Sequence, residues 1–257
     1  MILLLGGTSD TDPIARAFLS RGQKVLVSTA TDYPLTLMSH PMIQKRAGEL
    51  DEDSLGQLLR ARRIVAVVDA THPYTETIGP LSRRVAAECA IPYFRFMRPE
   101  TRLGRAGACH AGGHPAAARI ACSFAKPILL TIGSKRVGAY VREASRKNLP
   151  LYVRVLDRRD SIDECHALGV RPEAVMAAKG PFTVEDNLAL IHRFNIGVLV
   201  TKESGEAGGM KEKVEATQRS GAALVIVDRP IVRGPVVNGV PDLVDKTMQA
   251  LSMRERP

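Results

Sequence analysis

Short apolar runs alternate along this chain with segments whose apolar residues recur at helical period. The first run, Ile2-Leu3-Leu4-Leu5, is too short for a buried helix and suits a parallel strand covered on both faces. Gly6-Gly7 ends it, followed by Thr8 and Ser9. Asp10, Thr11 and Asp12 then offer N-cap chemistry, Pro13 suits a first helical turn, and Ile14, Ala15, Phe18 and Leu19 fall at helical spacing. The same criteria predict strands over 24–28, 43–47, 64–70 and 93–97, with helices over 50–60 and 75–90.

Residues 101–114 carry Gly104, Gly107, Gly112 and Gly113 and loosen the pattern, which marks part of a connection between two lobes. After a helix over 115–123 the opening theme returns: the apolar run 127–133 meets Gly133 and Ser134, and then a helix. Strands over 151–156, 174–178, 196–201 and 224–230 follow, with helices capped by Thr183 and Asp186, over 210–220 and over 242–253. LLLGGT compares with LLTIGS, and YFRFMRP with LVIVDRP, in the same order. The expectation is an α/β fold of two Rossmann-like lobes, with parallel sheets facing a central cleft. The lobes are placed at 1–112, binding a cofactor, and 113–257, completing the substrate cleft.

With 257 residues, 45% apolar and 25% charged, composition is that of an ordinary globular protein, and the lack of Trp argues against a base-stacking surface. A net charge of +9 suits nucleic acid, an anionic membrane or an acidic small ligand. Lys and Arg form no run of five or six, so the stripe of a nucleic-acid binder is missing. Cys89, Cys109, Cys122 and Cys165 make no C-x-x-C pair, hence neither a zinc site nor a redox pair is expected, and no metal. No apolar run approaches the ~20 residues a bilayer needs, and the chain starts directly on a strand, so a cytoplasmic protein without membrane contact is expected.

A strand, a glycine turn and a helix N-terminus aim backbone N–H groups and a positive dipole end at one point, which favours a phosphate over Gly6, Gly7, Thr8 and Ser9. The pattern lacks the full G-x-G-x-x-G, and an ordinary βα turn uses the same residues. The second strand ends in Ser28 and Thr29, without the acid that holds a ribose 2′-hydroxyl; the first acid is Asp32. That leaves room for a 2′-phosphate and leans towards NADP, although small hydroxyl residues also suit a loop. Strand 64–70 runs into Thr71-His72-Pro73-Tyr74 and sets His72 on the same rim as the glycines, where an imidazole can donate a proton or bond to loop backbone. Strand 196–201 delivers Lys202, Glu203, Ser204 and Gly205, then Gly208 and Gly209; this is either an anion-binding turn or a solvated glycine loop.

With these segments in view, the sequence resembles the precorrin-6A reductase family of cobalamin biosynthesis. The matching pieces are LLGGT at 4–8, VDATHPY at 68–74, the R-x-x-RP ending at 95–99, GPF at 180–182, TKESG with GG at 201–209, EKVEA at 212–216 and DRP at 228–230, in the family's order over nearly the whole chain. The family commonly has an acid and then Ala after GGT, whereas this chain reads Ser9-Asp10-Thr11. The resemblance implies a two-lobe reductase that uses NADPH to saturate one ring double bond of a corrin precursor bearing acetate and propionate arms. Such an anionic tetrapyrrole suits the positive charge. Candidate catalytic residues are His72, Lys202 and Ser204, with His72 the acid and Lys202 the anion clamp. Gly6, Gly7, Thr8, Ser9, Ser28 and Thr29 are expected at the cofactor, and Tyr74, Arg98, Gly205, Lys213 and Arg229 at the substrate. A monomer or homodimer is expected. Other readings are a cobalt-containing form of the substrate, a short-chain oxidoreductase on a smaller carbonyl compound, and a nucleotide sensor without chemistry. The short-chain class needs Tyr-x-x-x-Lys, and none of the five tyrosines has Lys at that spacing.

Overall fold

The computed structural model describes residues 1–32, 35–75, 77–99, 107–205, 208–230 and 235–254. Its strands are β1 (Ile2–Leu5), β2 (Val25–Thr29), β3 (Ile43–Ala47), β4 (Ala66–Asp69), β5 (Tyr93–Phe96), β6 (Ala108–Ala111), β7 (Ile128–Leu130), β8 (Leu151–Val155), β9 (Val175–Ala177), β10 (Val198–Lys202), β11 (Ala223–Val227) and β12 (Val236–Val237). The helices are α1 (Thr11–Leu19), α2 (Glu52–Ala61), α3 (Ile78–Glu88), α4 (His114–Ser123), α5 (Gly138–Arg146), α6 (Arg159–Ala167), α7 (Val184–Arg193), α8 (Met210–Ser220) and α9 (Val240–Arg254).

β1 is buried along its whole length because it sits inside a parallel sheet of order β12-β5-β4-β1-β2-β3, with helices on both faces. Strand alternation sorts its residues: Ile2 and Leu4 join Ile14 and Phe18 of α1 and Leu243 and Val244 of α9, while Leu3 and Leu5 join Leu55 and Leu59 of α2 and Val85 of α3. The second sheet, also parallel, runs β6-β11-β10-β7-β8-β9. If β7, β8, β9, β10 and β11 are set against β1, β2, β3, β4 and β5, the two orders coincide, as the shared sequence order predicts.

The sixth strands are exchanged. β6 follows β5 in the chain but pairs with β11, and β12 follows β11 but pairs with β5. One unit therefore joins residues 1–99 to the segment from 231 onward, and the other spans 100–230. This replaces the expected boundary after residue 112 and moves the C-terminal helix to the first unit. A four-residue edge strand such as Ala108–Ala111 and a two-residue one such as Val236–Val237 carry too little pattern to reveal which sheet will pair with them. Residues 101–106 of the expected connection lie outside the described residues. No helix among the described residues is long and apolar enough to cross a membrane.

Candidate active site

The turn after β1 is built around Thr11. Its side chain is buried, and Oγ1 accepts N–H bonds from Gly7 at 3.1 Å and Thr8 at 3.2 Å. Gly7 has φ 107°, a conformation that favours glycine. The Thr8 hydroxyl donates to the Ala70 carbonyl at 3.2 Å, which ties the turn to the end of β4. Asp10 holds the N-cap position of α1 without capping it. Its carboxylate instead accepts from Arg98 Nε at 2.6 Å, and Arg98 also donates to Ser9 Oγ at 2.7 Å. Arg98, expected at the substrate, thus stands against the glycine turn, its side chain 14% exposed. There it offsets the Asp10 carboxylate at the N-terminus of α1.

At the neighbouring strand end Ser28 pairs in register with Arg46, and Arg46 Nη1 donates to Ser28 Oγ at 2.7 Å. The Thr29 hydroxyl turns to the Thr31 carbonyl at 2.9 Å. Arg46 was not among the sequence candidates. The signal was a basic residue in the predicted strand 43–47, and it gains meaning only once the register with β2 is known.

β4 ends in Asp69, fully buried and ion-paired with Arg95 of β5. Asp69 also accepts the Thr71 N–H at 3.0 Å, the Thr71 hydroxyl at 2.7 Å and the Tyr93 hydroxyl at 2.8 Å. Burial, and then the Asp69 charge, hold the Tyr93 phenol protonated well above its usual range. Arg95 reaches on to Thr71 Oγ1 at 2.8 Å and the His72 carbonyl at 3.3 Å. The ion pair therefore fixes the loop that carries His72. His72 Nδ1 accepts the Tyr74 N–H at 3.3 Å, and the two rings lie 5.6 Å apart. Asp69 and Arg95 lie in two of the motif pieces but were not named as candidates, because their pairing across β4 and β5 is set by the sheet register.

In the second unit the glycine loop is largely occupied with itself. Gly205 N–H donates to Glu203 Oε1 at 3.0 Å, Gly208 N–H to the Gly205 carbonyl at 3.0 Å, and the Ser204 hydroxyl to the Gly208 carbonyl at 3.2 Å. The Gly205 N–H and the Ser204 hydroxyl, expected at an anion, bond within the loop, where the Glu203 carboxylate accepts the Gly205 N–H. Arg229, 4% exposed in its side chain, is engaged there too, donating to the Glu203 carbonyl at 3.1 Å and lying 3.6 Å from its carboxylate. Lys213 Nζ donates to the Gly208 carbonyl at 3.0 Å. Burial, and then the charge of Arg136, lower Lys202 to about 8. Lys202, expected to clamp an anionic ligand, thus has the positive charge of Arg136 acting on it. Among the described residues no cluster of three or more His, Cys, Asp or Glu could hold a metal ion.

The model of the family described as precorrin-6x reductase CbiJ/CobK matches residues 1–252. The chain belongs to the precorrin-6x reductase family. As a member it is an oxidoreductase of cobalamin biosynthesis that reduces precorrin-6A. Similar proteins include the cobalt-precorrin-6A reductase of Priestia megaterium, 31% identical over 90% of this chain and 91% of that one. The precorrin-6A reductase of Rhodococcus erythropolis is also 31% identical, over 89% of each. The solved structure of CobK precorrin-6A reductase superposes with a TM-score of 0.77 at 21% identity, covering 97% of this chain and 96% of that one, and so shares the fold.

Proposed function

We propose that this precorrin-6x reductase draws its hydride from NADPH held by the first unit. The reading rests on one observation, the Arg46 guanidinium on Ser28 at a strand end without an acid, where a ribose 2′-phosphate would find a charge-assisted donor. The pyrophosphate would lie at the Gly6-Gly7-Thr8-Ser9 turn. Thr11 has taken two of that turn's amides and Arg98 is balanced by Asp10, so the remaining backbone amides at the N-terminus of α1 would supply the positive potential. When bound, the dihydronicotinamide supplies the hydride; everything else is the chain's work. His72, carried at the end of β4 beside β1, is the proposed proton donor to the neighbouring ring carbon. The Asp69–Arg95 pair orients its loop, and Lys202 clamps an anionic arm of the substrate. We place Ser204 and Arg229 as supports of the Lys202 loop, and Tyr74 at the edge of the substrate beside His72.

Anaerobic incubation with NADPH and either metal-free or cobalt-containing precorrin-6A tests the reading. Loss of cofactor absorbance together with a changed macrocycle spectrum is expected, with NADPH bound more tightly than NADH. Equal affinities for the two cofactors would remove the 2′-phosphate assignment.

A further inference from the structure

Arg154 is the fourth residue of β8 and shares a sheet face with Tyr152, which packs into the core under α7 and α8. It is only 6% exposed. Its guanidinium carbon stands 3.8 Å over the Phe182 ring, and Nη1 is shut off from water with no hydrogen-bond partner among the described residues. Phe182 comes from the GPF segment that follows β9. Lys213, in the first turn of α8, is 8% exposed. Neither Arg154 nor Lys213 has an ion pair among the described residues. The acid whose charge reaches Arg154 is Asp186, but its carboxylate caps α7 by accepting the Thr183 N–H at 2.8 Å and hydroxyl at 2.9 Å. Lys213 feels Arg154 and Lys202 as like charges and Glu212 as an opposing one. Burial, with these like charges, lowers Lys213 to about 8, and burial lowers Arg154 to about 10.

Burying an orphan guanidinium N–H is costly unless something anionic completes it. A carboxylate would do so: the planar fork matches its two oxygens, and Phe182 holds the fork in plane from one side. We propose that Arg154, stacked on Phe182, forms a buried anion subsite in the second unit, and that it receives a carboxylate arm of the tetrapyrrole substrate. This rests on the reading of the substrate given above.

The test uses the full chain with Arg154→Gln and Arg154→Lys. Uroporphyrin, an octacarboxylate tetrapyrrole that is not reduced, serves as a binding probe. Arg154→Gln is expected to weaken uroporphyrin binding and raise KM for precorrin-6A by about tenfold or more, with kcat and NADPH affinity little changed and Arg154→Lys intermediate. Without ligand, Arg154→Gln should unfold at the same or a higher temperature than the parent, because it removes an uncompensated buried charge. A lower unfolding temperature with unchanged uroporphyrin affinity and unchanged KM would make Arg154 a structural residue and overturn the subsite. Displacement of the probe by inorganic phosphate far below the acetate concentration needed would overturn the carboxylate assignment. If uroporphyrin binding depends on Arg154 while precorrin-6A is not reduced by the parent, the subsite stands and the substrate reading fails.

Discussion

Ser28 and Arg46 face each other across one ladder position, and a single substitution on either side should reset cofactor choice. Arg46→Ala is expected to cost NADPH about ten- to a hundredfold in affinity while leaving NADH nearly unchanged, since only the former offers a 2′-phosphate. Ser28→Asp should narrow or reverse the preference by setting a carboxylate there. Titration of both cofactors against each variant checks this. At β4, Asp69→Asn leaves Arg95 buried without its counter-charge, a cost of about 3–5 kcal/mol that thermal or denaturant unfolding will register. His72→Ala should lower turnover by about a hundredfold with NADPH binding unchanged. An unaltered rate and pH profile in that variant would leave solvent as the proton source.

At the scale of elements, the β1–α1 turn is held by close packing as well as by hydrogen bonds. A Cβ on Gly6 would come within 2.6 Å of Thr11 Cγ2 and 2.8 Å of Oγ1. Gly6→Ala therefore displaces the residue that organises the turn, and a loss of about 1–3 kcal/mol is expected. Gly7→Val differs: space is open towards Thr29 at 4.0 Å, but φ 107° strains a branched side chain. Stability should fall by about 1–3 kcal/mol and cofactor binding with it.

The cation cluster between β8, β10 and α8 gives a pH dependence of definite sign. Lys202 and Lys213 have folded values lowered to about 8 from 10.5, with Arg136, Arg154 and Glu212 the charged groups acting on them. Their protonated forms are disfavoured in the fold, so stability contributed by these lysines rises as pH climbs from about 8 towards 10.5. Anion binding needs the protonated forms and should weaken over the same range. Unfolding temperature and substrate KM measured from pH 7 to 10 should move in these directions, and Lys213→Met should flatten both trends.

For the whole molecule the exchanged sixth strands decide what can be removed. A chain ended after Pro230 lacks β12 and α9, and with them Val237, Leu243 and Val244 of the first unit's core. It should lose NADPH binding and expose the apolar face of β1, β2 and β4 to aggregation, although every proposed cofactor residue is still present. Solubility and NADPH titration of that chain would show it. A truncated chain that binds NADPH like the parent would mean that the first unit stands without its returning segment.

Local pattern determined most of the elements: the buried strands β1, β4, β7 and β10, the glycine turns behind β1 and β7, and α8 over 210–220 as predicted. The Thr183–Asp186 capping box is present as its spacing suggests. These follow from interactions within a few residues or from burial on both faces, and such features leave a periodic trace in sequence. β6, α6 and β12 left too weak a trace. Tertiary structure alone decided which sheet each sixth strand joins, that Arg98 turns to Asp10 and Arg229 to Glu203, and that Arg46 meets Ser28. It also decided that Arg154 is buried without an ion pair among the described residues. An arginine reads the same in sequence whether its guanidinium reaches water, a buried carboxylate or an aromatic ring; the chain's long-range path supplies the partner.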